Sequence, residues 1–345
     1  MKTRKILLTA AASLFSVLLI WCSDITSSAA LSALNHSVRK VIPALFPYMV
    51  LSSFFVHLRL SDSVSRVLPM RYLGFPDSAA PVLLTGLLFG FPVGASGCAH
   101  LFRSGELSRE ESARLCALSG HVSPAFLMGS IGALWGSKTY GLFLFLCSTA
   151  YTVIAGFILG RKHTVPSPSV ITPAKEENTV TVFCQSVTSA ASACLGIIGF
   201  IVFFRSAGSV IAETIPALRA FVSVVFEFSY GCVYSAGLGG IRGAALTGFA
   251  VGFSGLSVLL QTASFISPEG ISLMPFAVSK LCEGIFLASA SAVFYFFCPL
   301  EAAADAFSSL PVGGSGISIA VPVVLCAVHF AGKFLFSNNK CPRPC

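Results

Sequence analysis

Charged side chains are what this sequence most lacks: Asp, Glu, Lys and Arg together make up 10% of its 345 residues. An average soluble domain carries about 25%, so a water-soluble globule of this length could not cover its surface. Trp occurs twice and Tyr seven times, against 31 Phe, so most of the aromatic mass has no polar handle and suits lipid-facing or core positions. Acidic residues are the scarcer sign, 14 against 22 basic ones. In a soluble chain the resulting +8 would suggest a nucleic-acid partner. Here the charges fall between apolar runs, so the excess reads as positive-inside bias and no nucleic acid is expected. None of the 12 cysteines has CxxC spacing, and His57, His100 and His329 have no ligand spacing with a carboxylate or Cys. No metal and no cofactor are expected.

What is present is apolar, with 55% hydrophobic residues. A spanning helix needs about 20 largely apolar residues. Runs free of Asp, Glu, Lys and Arg cover residues 78–102, 139–160, 178–204, 243–268 and 306–332, with a shorter one at 284–300. Interrupted apolar pieces lie at 41–58, 118–135 and 221–238. The expected fold class is all-α: a polytopic helical protein of the cell membrane, with two repeated units containing broken or re-entrant helices. Residues 6–22 follow Lys2, Arg4 and Lys5 and read as an uncleaved first span, a cleaved signal being the alternative because residues 27–30 are small.

The expected organisation is an N-terminal transmembrane helix at 1–24, a first unit at 25–160, a cytoplasmic linker at 161–180, a second unit at 181–300, a C-terminal transmembrane helix at 301–336 and a tail at 337–345. The linker opens on Arg161-Lys162-His163 and is rich in Pro, Ser and Thr. Between Arg103 and Arg114 the charges balance around a Ser108-x-x-Glu111 capping box, which reads as a short helix at the membrane surface.

The halves contain similar words. Leu84-Thr85-Gly86 followed by Gly90-Phe91 returns as Leu246-Thr247-Gly248 followed by Gly252-Phe253, and Arg114-Leu115-Cys116 is echoed by Lys280-Leu281-Cys282. Close helix packing through small residues accounts for part of this. Both copies then run into helix-weakening residues, Pro92 to Ser96 and Ser254 to Ser257. Interruptions at matching places in two halves point to a transporter site, because exposed backbone at membrane depth needs protein, water or a solute to satisfy it. A polar cavity lined by Pro92, Gly94, Ser96, Ser254, Gly255 and Ser257 is expected.

The run Pro43-Ala44-Leu45-Phe46-Pro47, then Gly90-Phe91-Pro92-Val93-Gly94-Ala95, Leu107-Ser108-x-x-Glu111 with Arg114-Leu115, and Ser123-Pro124-x-Phe126 with Gly129 resembles the first half of the YlbJ-type sporulation integral membrane proteins. Phe226-Glu227-Phe228-Ser229-Tyr230-Gly231 and Gly252-Phe253-Ser254-Gly255-Leu256-Ser257 with Gln261 resemble the second. The resemblance covers most of residues 41–297 and departs from the family pattern at Ser119-Gly120-His121 and Ser229. It implies a multi-pass membrane protein of an endospore former, related to nucleoside-recognition or Gate domains and needed for the spore cortex and envelope.

Individual residues remain open between roles. Glu227 is the one acid in its segment, and an ionised side chain at the bilayer centre costs at least about 2.5 kcal/mol, so it reads as a solute ligand or proton carrier, or as an interfacial partner of Arg219 or Arg242. Glu283 stands three residues after Lys280 and reads as half of an ion pair. Gln261 binds solute or ties helices together, and His121, beside Ser123, lines the cavity or is hydrogen-bonded in place. With Ser229 these complete the candidate set; no catalytic residue is expected. Gly94-Ala95-Ser96-Gly97 has the Gly-x-Ser-Gly form of rhomboid intramembrane proteases, with His329 as the needed base, but the other landmarks of that family are missing and the chain is not expected to be an enzyme.

The functional expectation is a small-solute transporter or gating domain with a polar midplane site, its partners being the lipid bilayer, a small polar solute or nucleoside, and a second copy packed through the Gly-rich faces. The alternative is a non-transporting scaffold that organises spore-envelope proteins.

Overall fold

The computed structural model describes residues 2–57, 70–160 and 178–300. The expected last span, the tail, His329 and nearly all of the linker lie outside them. Every element among the described residues is helical and none is a strand. Helix α1, Lys2–Trp21, turns through 90° at Cys22 into α2, Ser23–His36. A π-turn at Ser37–Val41 leads into α3, Ile42–His57, just ahead of Pro43, which has no N–H to continue the α ladder.

Two helical hairpins follow from local chemistry. Helices α4, Ala80–Phe89, and α5, Phe91–Arg103, meet at Gly90. Its φ of 99° is open to glycine alone at little cost, and Pro92 then stands in the first turn of α5, where no N–H is missed. The arms fold back on each other: a Cβ on Gly97 would lie 2.9 Å from Val82 Cγ1. In the second hairpin, α9 (Arg219–Phe226) and α10 (Phe228–Leu238) meet at Glu227, and a Cβ on Gly231 would lie 2.9 Å from Val224 Cα.

Each hairpin is followed by a long apolar helix with a break and then by an unbroken one. Arg109–Leu134 starts as α6, Arg109–Ser119, and is interrupted at residues 120–123; Lys138–Gly160 is α7. After the 36-residue α8, Thr179–Thr214, and the second hairpin, Gly240–Glu269 consists of α11, Gly240–Phe253, and α12, Gly255–Ile266, divided at Ser254, and Met274–Phe297 is α13. Among the described residues five helices are long and apolar enough to cross a membrane, or six if the bent α1–α2 pair is one span. The chain is a multi-pass integral membrane protein.

The hairpin at 80–103 is thus followed by the span broken at 120–123, and the hairpin at 219–238 by the span broken at Ser254. The words shared by the two halves match differently, setting a hairpin arm against a broken span. Their physical content is packing. Gly86 lies against Ser119 and Gly248 against Leu287, each so close that a Cβ would clash. The break in the first half also sits at Gly90 itself, while Gly94 and Ser96 are helical within α5.

A second difference concerns the charged segment. The capping box forms as read, with Glu111 N–H donating to Ser108 Oγ at 3.2 Å and Ser108 N–H to Glu111 Oε2 at 2.8 Å. The helix it starts is no surface helix: everything from Glu111 to Ser119 is buried, and the element runs on as a candidate span. Arg114 accommodates this by lying over the Phe75 ring, 4.9 Å from its centroid, and donating to the Gly74 carbonyl at 3.3 Å.

Candidate functional site

The backbone interruptions converge. Gly90, at the first hairpin tip, packs on the break of the span that follows: a Cβ there would lie 3.2 Å from the His121 carbonyl oxygen. Gly255, beside the second break, packs on the second hairpin tip, 3.1 Å from the Phe228 nitrogen and 3.2 Å from the Phe226 carbonyl oxygen by the same measure. The tips also meet each other. Phe91 and Phe228, each the residue after its break, stand edge to face with ring centroids 5.7 Å apart, and Phe126 closes on Phe228 at 5.3 Å.

Around this contact lies a cavity of about 60 Å³. Its polar wall is Ser123, Glu227, Ser229, Ser257 and Gln261; the rest is apolar, with Leu45 from α3, Ile197 and Ile201 from α8, and Phe89 to Pro92 from the first tip. Among the described side chains no Lys or Arg lines it. The space holds a few waters, at roughly 10–15 Å³ each, and is well short of the roughly 150 Å³ that admits benzene in an engineered apolar cavity. The structure is therefore closed to a nucleoside.

Glu227 neither pairs with Arg219, which bonds Glu213 at 3.1 Å, nor with Arg242. It caps α10: Oε1 accepts from Ser229 N–H at 3.1 Å, and Oε2 from Ser229 O–H at 2.6 Å and Tyr230 N–H at 2.9 Å. A carboxylate suits a helix N-terminus, where unpaired N–H groups carry partial positive charge. Arg205 of α8 lies over the Tyr230 ring, 3.1 Å from its centroid, and its charge acts on Glu227. Sequence reading passed over Arg205, although it is the single charge between Asn178 and Ala212.

The other candidates separate. Pro92, Ser123, Ser229, Ser257 and Gln261 line the cavity with Glu227. Ser257 is wholly buried and its Oγ has no protein partner. Ser254 forms the second break with φ 67°, the one positive φ of a non-glycine among the described residues, and donates to the Val251 carbonyl at 3.0 Å. Such a strained backbone persists where its surroundings over-determine it. Gly255 packs on the second tip and Gly94 packs against Ser119. Ser96 lines a different recess of about 210 Å³, with His100 and Arg103. His121 lies outside the cavity wall, in a buried polar cluster with Ser148, Thr152 and Glu283. Glu283 does pair with Lys280, at 2.5 Å.

A wider cleft of about 340 Å³ adjoins the closed cavity. Ile197 and Gln261 belong to both walls, and Ser189, Ser192 and Ser264 line the cleft. Gln261 thus stands at the partition between a small space and a larger, more polar one.

Among curated proteins the chain is similar to the "Sporulation integral membrane protein YlbJ" of Bacillus subtilis (strain 168), with 27% identity over 294 residues, covering 72% of each chain. The YlbJ-type resemblance carried by the motifs is borne out. No known family profile matches the chain, and no solved structure is similar to it.

Proposed function

We propose that this relative of YlbJ acts in sporulation as a membrane transporter or gating domain for a small polar solute, which binds where the two hairpin tips meet. The observation that carries the reading is the convergence of Gly90, Ser123 and Glu227, residues from three backbone interruptions, on one cavity. Interrupted helices at membrane depth are the usual construction of secondary-transporter sites, because half-helix ends offer backbone groups and partial charges to a solute. The unpartnered Ser257 Oγ supports it as a hydrogen-bonding group waiting for an occupant.

The lining sets the solute class. A carboxylate, hydroxyls and an amide, with no cation among the described lining residues, favour a neutral or cationic molecule with hydrogen-bonding groups over an anion. Mostly apolar surroundings favour a flat or compact apolar body. Neutral nucleosides and small amines fit this description once the tips part. The cleft behind Gln261 and Ile197 is then the approach.

Purified protein in proteoliposomes, assayed for uptake of radiolabelled uridine, adenosine and putrescine, tests the proposal. Uptake of one of them in the wild type, abolished by Ser257→Ala and by Glu227→Gln, is expected. Wild-type sporulation in cells carrying both substitutions would sink the site and leave the scaffold reading, in which the linker 161–180 would carry function instead.

A further inference from the structure

We propose that His121 and Glu283 form a proton-binding site whose occupancy holds the cavity closed, so that the ion coupled to opening is H⁺; its consequence for solute movement rests on the function proposed above. The two side chains come from different halves, His121 from the break in Arg109–Leu134 and Glu283 from α13, and both are at most 1% exposed.

The ring's contacts define its proton count. Nε2 faces the Leu118 carbonyl oxygen at 2.7 Å and Thr152 Oγ1 at 2.6 Å; Nδ1 faces Glu283 Oε1 at 3.0 Å and Ser148 Oγ at 2.8 Å. A carbonyl only accepts, so Nε2 must carry hydrogen to bond it. An ionised carboxylate only accepts, and Ser148 already donates to Oε1 at 2.5 Å, so Nδ1 must carry hydrogen as well. Only the doubly protonated ring satisfies both sides. Removing either proton turns a nitrogen lone pair toward the Leu118 carbonyl or the Glu283 carboxylate, with only the Thr152 or Ser148 hydroxyl left to donate to that nitrogen. Uptake forms one N–H bond and breaks one O–H bond of hydronium, leaving water; release reverses both.

That proton sits where it can hold the tips. His121 offers its own carbonyl to the Gly90 contact, and Ser123, two residues on, is part of the cavity wall. Glu283 bonds Lys280 at 2.5 Å, whose ammonium lies 5.9 Å from the centroid of Phe91, the ring that meets Phe228. On its other side the Glu283 backbone is packed against Gly252, two residues before the Ser254 break. Among the described residues the charged group facing His121 is Glu283 from α13, which itself faces Lys280 of the same helix and Tyr151 of α7; Lys280 in turn acts on Cys116 of α6, the neighbour of Cys98 of α5. A form that binds one proton more is favoured as pH falls, so rising pH favours the open form.

The test uses the full chain in lipid nanodiscs with ¹⁵N-labelled histidine, the His121 ring signals being identified by their loss in His121→Gln. From pH 5 to 9, His121 is expected to change from two ring N–H groups to one. Over the same interval amide protection in residues 88–95 and 120–126, corrected for intrinsic exchange, should fall by up to about tenfold per pH unit, the slope of one linked proton. Glu283→Gln, which removes the carboxylate that Nδ1 faces, should abolish both transitions; in Ser148→Ala, which keeps the Lys280–Glu283 pair, the two should still coincide. A ring that holds one N–H or two throughout, or a titration that leaves protection unchanged, overturns the proposal. Neither readout involves a solute, so failure to bind or transport one would count against the proposed function alone.

Discussion

Phe91 and Phe228 meet edge to face, their planes 81° apart, and each is the first residue after the turn of its hairpin. One aromatic pair thus joins the two halves of the chain at the roof of the cavity. Such pairs are worth about 0.5–1.5 kcal/mol beyond the area they bury. A double-mutant cycle with Phe91→Leu and Phe228→Leu, read by equilibrium unfolding in mixed micelles, should give a coupling near 1 kcal/mol. Additive substitutions would mean that the tips do not hold each other.

Glu227 holds three donors of the second tip. Glu227→Ala should destabilise the protein by about 1–3 kcal/mol, the cost of leaving buried donors unmet. Glu227→Gln keeps an acceptor and should cost less. Thermal unfolding in detergent should therefore rank wild type above Gln and Gln above Ala.

Gly255 combines φ 78° with backbone atoms 3.1–3.3 Å from where a Cβ would stand. Gly255→Ala should cost more than 1 kcal/mol, since both the dihedral and the second hairpin tip resist it. Gly237, in α10 with nothing within 4 Å of a Cβ, is the control. Gly237→Ala should be neutral or stabilising, by up to about 1 kcal/mol. The apparent melting temperature should fall in Gly255→Ala and stay level or rise in Gly237→Ala.

Ser257 has no protein partner for its hydroxyl. Removing a buried hydroxyl that bonds nothing costs the fold little, so Ser257→Ala should unfold within about 0.5 kcal/mol of wild type, or above it. If the variant proved strongly destabilised, the hydroxyl would have a structural role instead.

Much of this architecture was legible because the bilayer narrows the choices to helices, and helices leave long uncharged runs. Glu227 stood out as an acid in an apolar segment, and Ser257 and Gln261 as polar residues beside a break. The internal register was less legible. Leu84-Thr85-Gly86 and Leu246-Thr247-Gly248 share letters because Gly86 and Gly248 each admit a close neighbour, yet one lies in a hairpin arm and the other in a broken span. The two hairpin tips, at Gly90 and Glu227, are held by different chemistry, a positive φ in one and a side-chain cap in the other, so no shared word marks them. The cluster around His121 was hidden for a further reason: Ser148 and Thr152 gain meaning only when folding sets them beside a histidine and a carboxylate.

The central claim is that the space between the tips takes up a neutral or cationic polar solute. Thermal unfolding of the detergent-purified chain with uridine, adenosine, putrescine or inorganic phosphate tests it most directly, because a ligand of the folded state raises apparent stability by mass action. A stabilising shift with one of the first three, absent with phosphate and lost in Ser257→Ala and Glu227→Gln, is the predicted result. A shift with phosphate alone, or one of equal size in both variants, would contradict the account.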